Sequence, residues 1–391
     1  MVAGVGVLWA STLVACAVDP PEANVPWEVG APLQGLSPGE LVRFAAGRDL
    51  FDRDFTEAEG LGPAYNQMRC SSCHDLPTVG GSGVERVLKS SRWGADGCDP
   101  LVEEGGETVQ PRITELLRSL GGSGETLPPS ATHAVDLVAT ALYGMGLLEA
   151  IPDDEILSLA DPEDRDGDGI SGRAGVDAEG RLARFGHKAT DATLRAFIEG
   201  ALLQEMGLTT VAHPHELTIN GRPLPMGADP APDPEVGPEE ADALLAYIRF
   251  LAPPEPAVPP GPEERRVVAR GEALFQEVGC TLCHVPAMRT GADVEPRALA
   301  DRPVRLYTDL LLHDLGPDLE GICSASASPT ELRTAPLAGL RFRPLLMHDG
   351  GATDLRDVIR RHGGEAAGSR ALFDALSPGD QAALLAFLGT L

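Results

Sequence analysis

Residues 70–74 read Cys-Ser-Ser-Cys-His and residues 280–284 read Cys-Thr-Leu-Cys-His. A C-x-x-C pair followed directly by His is the pattern by which a chain takes up a c-type haem. The two thiols add to the haem vinyl groups as thioethers, and the His next in line lies beneath the iron and supplies its proximal imidazole. Two copies make Cys70, Cys73, His74, Cys280, Cys283 and His284 the candidate binding residues for two covalent haem c groups, with His74 and His284 as iron ligands. The competing reading is one zinc held by both C-x-x-C pairs, which leaves unexplained why a His follows each pair. A thioredoxin-like redox pair needs a βαβ pattern around it, and neither motif has one.

Working outward, the motifs lie in an internal repeat. Gly47-Arg-Asp-Leu50-Phe51 precedes the first and Gly271-Glu-Ala-Leu274-Phe275 the second. Each reads as the end of an amphipathic helix that delivers the chain to a haem-binding loop. The second copy is compact, whereas the first carries the insertion 52–69, which predicts a remodelled pocket. Further helical patterns run over Thr132–Glu149, Thr190–Met206, Pro238–Leu251, Leu355–His362 and Pro378–Leu391, and alternating strand patterns are scarce. Pro253–Pro262 reads as a linker. The fold expected is mainly α: two cytochrome c-like haem domains, 41–255 and 256–391, packed together with loop-rich insertions.

Composition supports a chain built around a foreign apolar group. Among 391 residues there are only 10 Phe, 4 Tyr and 3 Trp, against 45 Gly and 34 Pro. The net charge of −28 excludes a nucleic-acid binder and favours docking by a partner with a basic face. The uncharged run up to Ala15 suits a signal peptide (1–15), although no Lys or Arg precedes it. Leu13-Val14-Ala15-Cys16 resembles a lipobox, so Cys16 is a candidate lipidation site, with 16–40 as a flexible tether and the periplasm or another exported location as the destination. The alternative is an ordinary buried Cys16 in a first helix. Cys98 and Cys323 are left over, either as a pair or as two free thiols.

Several blocks resemble the bacterial di-haem oxidoreductases (so-called thiol oxidoreductases), relatives of the di-haem cytochrome c peroxidases and of the tryptophan-tryptophylquinone-maturing enzyme. The blocks are GLGPAYNQMRCSSCH, YGMGLLEAIPDDEI, DRDGDGISGR, RFGHKATDATL, LYTDLLLHDLG, LRTAPLAGL, LMHDG and IRRHGGEA. The resemblance runs from Gly47 to the C-terminus and implies two helical haem domains facing each other. It also implies a sixth iron ligand on the short helix after His348-Asp349-Gly350, where His362 stands in the place of a Met or Tyr. A surface role for His362, and Met347 as ligand, are the alternatives. For the His74 haem the resemblance gives no clear sixth ligand; His133 and His187 are candidates, and the site is expected to open readily. Glu205 matches the distal proton-handling Glu of the peroxidases. Phe197 stands where they carry a Gln, leaving Gln204 as a substitute, and His187 stands where relatives place a Trp between the haems.

Asp164-x-Asp166-x-Asp168-Gly169 has the alternating carboxylates of a calcium loop, though Gly175 occupies the twelfth position in place of Glu. An exposed acidic turn is the competing reading. His213 and His215 read as loop residues, and His313 and His348 as structural ones. The function expected is a peroxidase-type di-haem oxidoreductase that reduces hydrogen peroxide with electrons from a small redox protein, a cytochrome c or a copper protein. A non-catalytic di-haem electron carrier, and an oxidase acting on a protein or organic substrate through high-valent iron, are the rivals.

Overall fold

The computed structural model describes Met1 and residues 28–391. The expected signal segment beyond Met1, the tether up to residue 27 and Cys16 lie outside the described residues. Ten helices occur among the described residues. They are α1 (Pro38–Phe51), α2 (Glu115–Ser119), α3 (Met145–Glu149), α4 (Asp153–Leu157), α5 (Leu194–Met206), α6 (Pro238–Phe250), α7 (Pro262–Glu277), α8 (Leu355–Arg361), α9 (Ala367–Ala375) and α10 (Pro378–Leu388).

The four helices α1, α6, α7 and α10 explain the repeat. α1 starts at a capping box in which Ser37 Oγ accepts from Glu40 N and Glu40 Oε2 accepts from Ser37 N. Pro38 then takes the first helical position, where its missing N–H costs nothing. α7 also starts on a Pro and leads into the second motif. α1 packs on α6, and α7 packs on α10. At each crossing a glycine of the repeat meets a carbonyl: a Cβ on Gly47 would stand 1.9 Å from Ala243 O, and one on Gly271 would stand 2.0 Å from Ala383 O. Four residues beyond each of those alanines comes an aromatic ring. Tyr247 packs on Phe51 with centroids 5.2 Å apart, and Phe387 packs on Phe275 at 5.5 Å. The two Phe rings then lie 5.9 Å from His74 and 6.4 Å from His284. Glycine, Phe and His of each motif therefore form one packing unit, built twice.

Two large apolar cores result, beside two small clusters around Leu117 and around Leu312. The first gathers α1, α3, α5 and α6, and takes in Leu299, Val304, Leu306, Leu310 and Leu311 from beyond the second motif. The second gathers Leu274, Phe275, Tyr307, Leu346, Phe373, Leu384 and Phe387. Between Pro253 and α7 the chain has no regular secondary structure.

Only 33% of the chain is helical, so the fold is mixed rather than mainly α. The helix expected over 132–149 is corrected: His133–Val138 is a strand, and helix begins only at Met145. His-Ala-Val-Asp-Leu-Val alternates along the chain, and its alternate residues point to opposite faces. It pairs antiparallel with Arg86–Gly94, which pairs on its other edge with Gly97–Asp99, giving a three-stranded sheet. Short two-stranded pairs make up the remaining sheets.

Cys98 on that sheet is disulfide-bonded to Cys323, with Cα atoms 5.7 Å apart across 225 residues of sequence. Of the two readings of these thiols, pairing is the one found. Cys323 N also donates to Ser91 Oγ at 3.0 Å. The link ties a loop of the C-terminal half to the sheet of the N-terminal half and contributes stability on the order of 2–5 kcal/mol.

If the glycine crossings organise both halves, Gly47→Ala and Gly271→Ala should each destabilise by about 1–3 kcal/mol through overpacking against backbone. Gly39→Ala, with nothing within 4 Å of its added Cβ in the same α1, should be neutral or stabilising. Thermal unfolding of the three variants checks this; equal midpoints would contradict it.

Candidate functional site

A cavity of about 480 Å³ opens between the first motif and the C-terminal half. Cys70, Cys73 and His74 form one wall. Phe197, Ala201, Gln204 and Glu205 form another, because positions 197, 201, 204 and 205 share one face of α5. Ile322, Cys323, Leu332, Arg333 and His348 close it from the C-terminal half, and His187 lines it too.

His74 Nδ1 lies 3.1 Å from Gly81 O. A ring nitrogen bonded to a carbonyl must carry the proton, which leaves Nε2 with its lone pair for a metal. Burial lowers the His74 pKa, keeping the ring neutral. The second motif repeats the device: His284 Nδ1 lies 3.0 Å from Tyr307 O, and burial pushes its pKa down to about 4. His362, at the end of α8, has Nδ1 2.8 Å from Val358 O, so it too offers Nε2. It stands close enough to His284 to depress that ring further, and it is enclosed rather than on the surface. Met347 packs against the same core.

Burial pushes the Cys70, Cys73 and Cys280 thiols up to about 12, and raises Cys283. They are not thiolates poised for metal binding or exchange. Among the described residues, no metal-binding cluster unites the two C-x-x-C pairs, so the shared zinc is corrected. Paired thiols facing an apolar cavity, with a His whose Nε2 is free, fit a haem. A volume of this size falls within the range of cofactor pockets.

Glu205 and Gln204, at the end of α5, line the same cavity as His74. Burial raises the Glu205 pKa, while Lys89 and a 3.0 Å hydrogen bond from Asn66 Nδ2 draw it back. Gln204 Oε1 accepts from Thr108 Oγ1 at 2.9 Å and from Lys89 Nζ at 3.4 Å. Lys89 Nζ pairs with Glu107 Oε1 at 3.0 Å. His187 is neutral, burial pushing its pKa down to about 3. His133 is not at the cavity: it contacts Thr132 Oγ1 at 2.9 Å and lies 3.6 Å from Glu320 Oε2, at the start of its strand. Of the two His candidates for the open side of His74, only His187 lines the site.

Asp164, Asp166 and Asp168 converge, their carboxylate oxygens all within 4.8 Å of one another. The loop is drawn around them by Gly169 N on Asp164 Oδ1 at 3.1 Å and Ile170 N on Asp168 Oδ1 at 2.8 Å. Oxygen donors at alternate positions fit a hard cation such as calcium.

Sequence reasoning passed over Lys89 and underrated His313. His313 donates to Asp309 Oδ2 and Glu365 Oε2, each at 2.8 Å, and lies 3.7 Å from Cys283 Sγ. Burial alone would depress it, but Asp309, Cys283 and Glu365 offset this and hold the imidazolium up to about 12. Burial opposes ionisation of Glu365 as well, yet His313 and the N–H groups of Asp314 and Ser171 bring it down to about 2. The Asp309–His313 spacing of four was the one available signal.

A family model described as "Di-haem oxidoreductase, putative peroxidase" matches residues 135–391, taking in the second motif and beginning after the first. Among curated proteins no relative matches at a significant level. Similar solved structures include hydrazine synthase from Kuenenia stuttgartiensis (14% identity, 98% of this chain and 100% of that chain, TM-score 0.43). The diheme peroxidase BthA from Burkholderia thailandensis is another (17%, 94% and 89%, 0.43). A third is a MauG-like protein associated with microbial copper homeostasis (17%, 95% and 94%, 0.41). The likeness is distant, and no activity is carried over from it.

The buried ion cluster makes stability depend on pH. His313, raised above the ordinary 6.5, contributes fully below that pH and loses its contribution as pH climbs toward its folded value. Glu365, lowered from 4.5, contributes fully above 4.5 and loses its contribution as pH falls toward about 2. Asp309→Asn should therefore cost most between pH 4.5 and 6.5, about 3 kcal/mol or more. The gap should narrow as pH rises beyond that window. Urea unfolding of both proteins at about pH 5.5, inside the window, and about pH 9, beyond it, tests this, and a gap of the same size at both would refute it.

Proposed function

The chain belongs to the di-haem oxidoreductase family, and on that premise we propose that it is an exported peroxidase reducing hydrogen peroxide with electrons from a small redox protein. The observation that carries the reading is that Glu205 and His74, with Cys70 and Cys73, line one cavity. In this reading Cys70 and Cys73 hold one haem c covalently over His74, and Cys280 and Cys283 hold the other over His284. His362 completes the ligand set of the second. Bound haem supplies redox-active iron, to receive peroxide at the first site and to relay electrons at the second.

The chain's own residues then do the proton work. Glu205, made a weaker acid by burial, takes a proton from one peroxide oxygen and returns it to the departing one. Asn66 fixes one carboxylate oxygen, leaving the other to face the substrate. Thr108 and Lys89 occupy Gln204 Oε1, which turns its NH₂ toward an oxygen in the cavity. The neutral His187 ring lies on the wall shared with the C-terminal half, where it serves the path between the sites. Calcium at Asp164, Asp166 and Asp168 would stiffen the loop that leads to Ser171, whose N–H and hydroxyl both bond Glu365. A lipid on Cys16 would tether the molecule to a membrane. The acidic balance favours a cytochrome c or copper-protein donor with a basic face, and electron delivery that slows as salt rises.

The test is protein matured in a host that attaches haem c. Intact mass and a pyridine haemochrome assay should give two haems per chain, and the pre-reduced protein should oxidise a reduced donor on adding peroxide. Glu205→Gln should keep both haems and lower kcat/KM for peroxide by about 10²–10⁴. Protein with two haems but no peroxide-dependent turnover, six-coordinate and low-spin in every redox state, would reject the reading in favour of an electron carrier.

A further inference from the structure

This chain carries 59 acidic residues against 31 basic ones, and most of its well-ordered cations use that surplus. Arg184 is enclosed and pairs with Asp153, Arg249 pairs with Glu149, and Lys89 with Glu107. Arg333 and Arg343 break the habit. Both are half-buried, and among the described residues neither has a carboxylate oxygen within 4.0 Å. Arg333 Nε donates to Gly186 O at 2.8 Å and Nη1 to its neighbour Thr334 O at 3.1 Å. The side chain thus spends one edge on carbonyls and turns to the cavity, which it lines. Arg343 Nη2 donates to Pro336 O at 2.6 Å, and its Nε is buried with no partner at all.

Burial weakens the proton affinity of both, down to about 10. For Arg333 the Asp309 carboxylate offsets part of this from a distance, and the nearby Arg343 charge opposes it. A largely desolvated charge with no counter-ion in contact is costly. The contrast with Lys188 is instructive. That ammonium is enclosed, but Ser328, Pro329 and Glu331 carbonyls take its protons and it asks for no anion. Arg333 and Arg343 still offer N–H groups in a planar fork suited to carboxylate.

Their placement names the anion. Arg333 faces the cavity of the His74 site. Arg343 stands in the segment between Leu340 and Leu346, both of which belong to the core that holds Phe275 and Tyr307, and Phe275 packs on His284. Arg333 N donates to His187 O at 2.9 Å, so one strand fixes both cation and wall. We propose that Arg333 and Arg343 are the seats for haem propionate carboxylates, Arg333 for the haem at His74 and Arg343 for the haem at His284. The inference rests on the di-haem reading and assigns a role to the block LRTAPLAGLRFR, which neither the thioether nor the axial-ligand motifs explain.

The experiment uses holoprotein carrying Arg333→Gln, Arg343→Gln or the matching Lys substitutions. Haem content is measured first by the haemochrome assay, because thioether attachment does not depend on these arginines. A parent with fewer than two haems would overturn the di-haem reading itself, and this assignment with it. With two haems present, each potential is followed by redox titration across pH, the haems being told apart by their EPR signals. Removing a cation beside a propionate favours the ferric form, so Arg333→Gln should lower the potential of the His74 haem and Arg343→Gln that of the His284 haem. Each change should also steepen the pH dependence of that potential near neutrality, as the freed propionate takes up a proton, and Lys should restore most of both. If the Gln variants lose thermal stability while both potentials and their pH dependence stay at parental values, the arginines merely brace carbonyls and the assignment is wrong.

Discussion

Everything in this molecule hangs on a backbone contact that only glycine allows. Where α1 crosses α6 and where α7 crosses α10, the helices approach until a carbonyl sits where a Cβ would be. That approach presses Phe51 onto Tyr247 and Phe275 onto Phe387, and each Phe then backs the imidazole of its own C-x-x-C-H motif. Ring position is only half of what a metal needs. The other half is ring orientation, which the Gly81 and Tyr307 carbonyls set by taking the Nδ1 proton. A helix crossing and one main-chain hydrogen bond thus define each His; the Gly, Phe and His of each unit and that bond are local, while the crossing partner, Ala243 or Ala383, lies far away in sequence.

That locality is why so much was legible. The motif pair, the repeated Gly-x-x-Leu-Phe and the helices flanking them are short-range patterns, and a short-range pattern survives being read in isolation. The strand at His133–Val138 was misread because four apolar residues in six also satisfy a loose helical count. Its period of two decides the matter only once the partner strand Arg86–Ser91 is known to lie beside it. His133 failed as a ligand candidate for the same reason, since its position follows from strand pairing and not from spacing. The bond between Cys98 and Cys323 closes over 225 residues, a distance across which spacing carries no information. Arg333 and Arg343 were invisible in another way: a sequence shows that a residue is charged, but not that its charge is largely desolvated and unmatched.

Charge is distributed with two purposes in this chain. On the outside the acidic excess is solvated. Inside, ionised groups are few and almost all are matched in place: His313 between Asp309 and Glu365, Arg184 against Asp153, Lys89 against Glu107. Such groups are expensive to bury and hold geometry tightly once paired. Glu365 shows the consequence, because one carboxylate bonds His313 beside Cys283 and also the N–H and hydroxyl of Ser171. Ser171, just beyond the acidic loop, is thereby joined through Glu365 and His313 to the neighbourhood of Cys283 in the second C-x-x-C-H motif.

The two halves share a scaffold on the proximal side of each His and differ on the other. In the C-terminal half, α8 brings His362 to the region of His284, with its Nε2 left free by Val358 O. In the N-terminal half, α5 occupies the corresponding role but presents Phe197, Gln204 and Glu205 to the cavity. An imidazole at the first position saturates an iron, whereas a carboxyl and an amide across a cavity leave room for a small substrate and a proton acceptor beside it. The insertion 52–69 contributes to this difference, since Asn66, within it, holds the Glu205 carboxylate. One helix crossing, used twice, thus gives two like settings for a C-x-x-C-H motif, while the side chains gathered about each His differ.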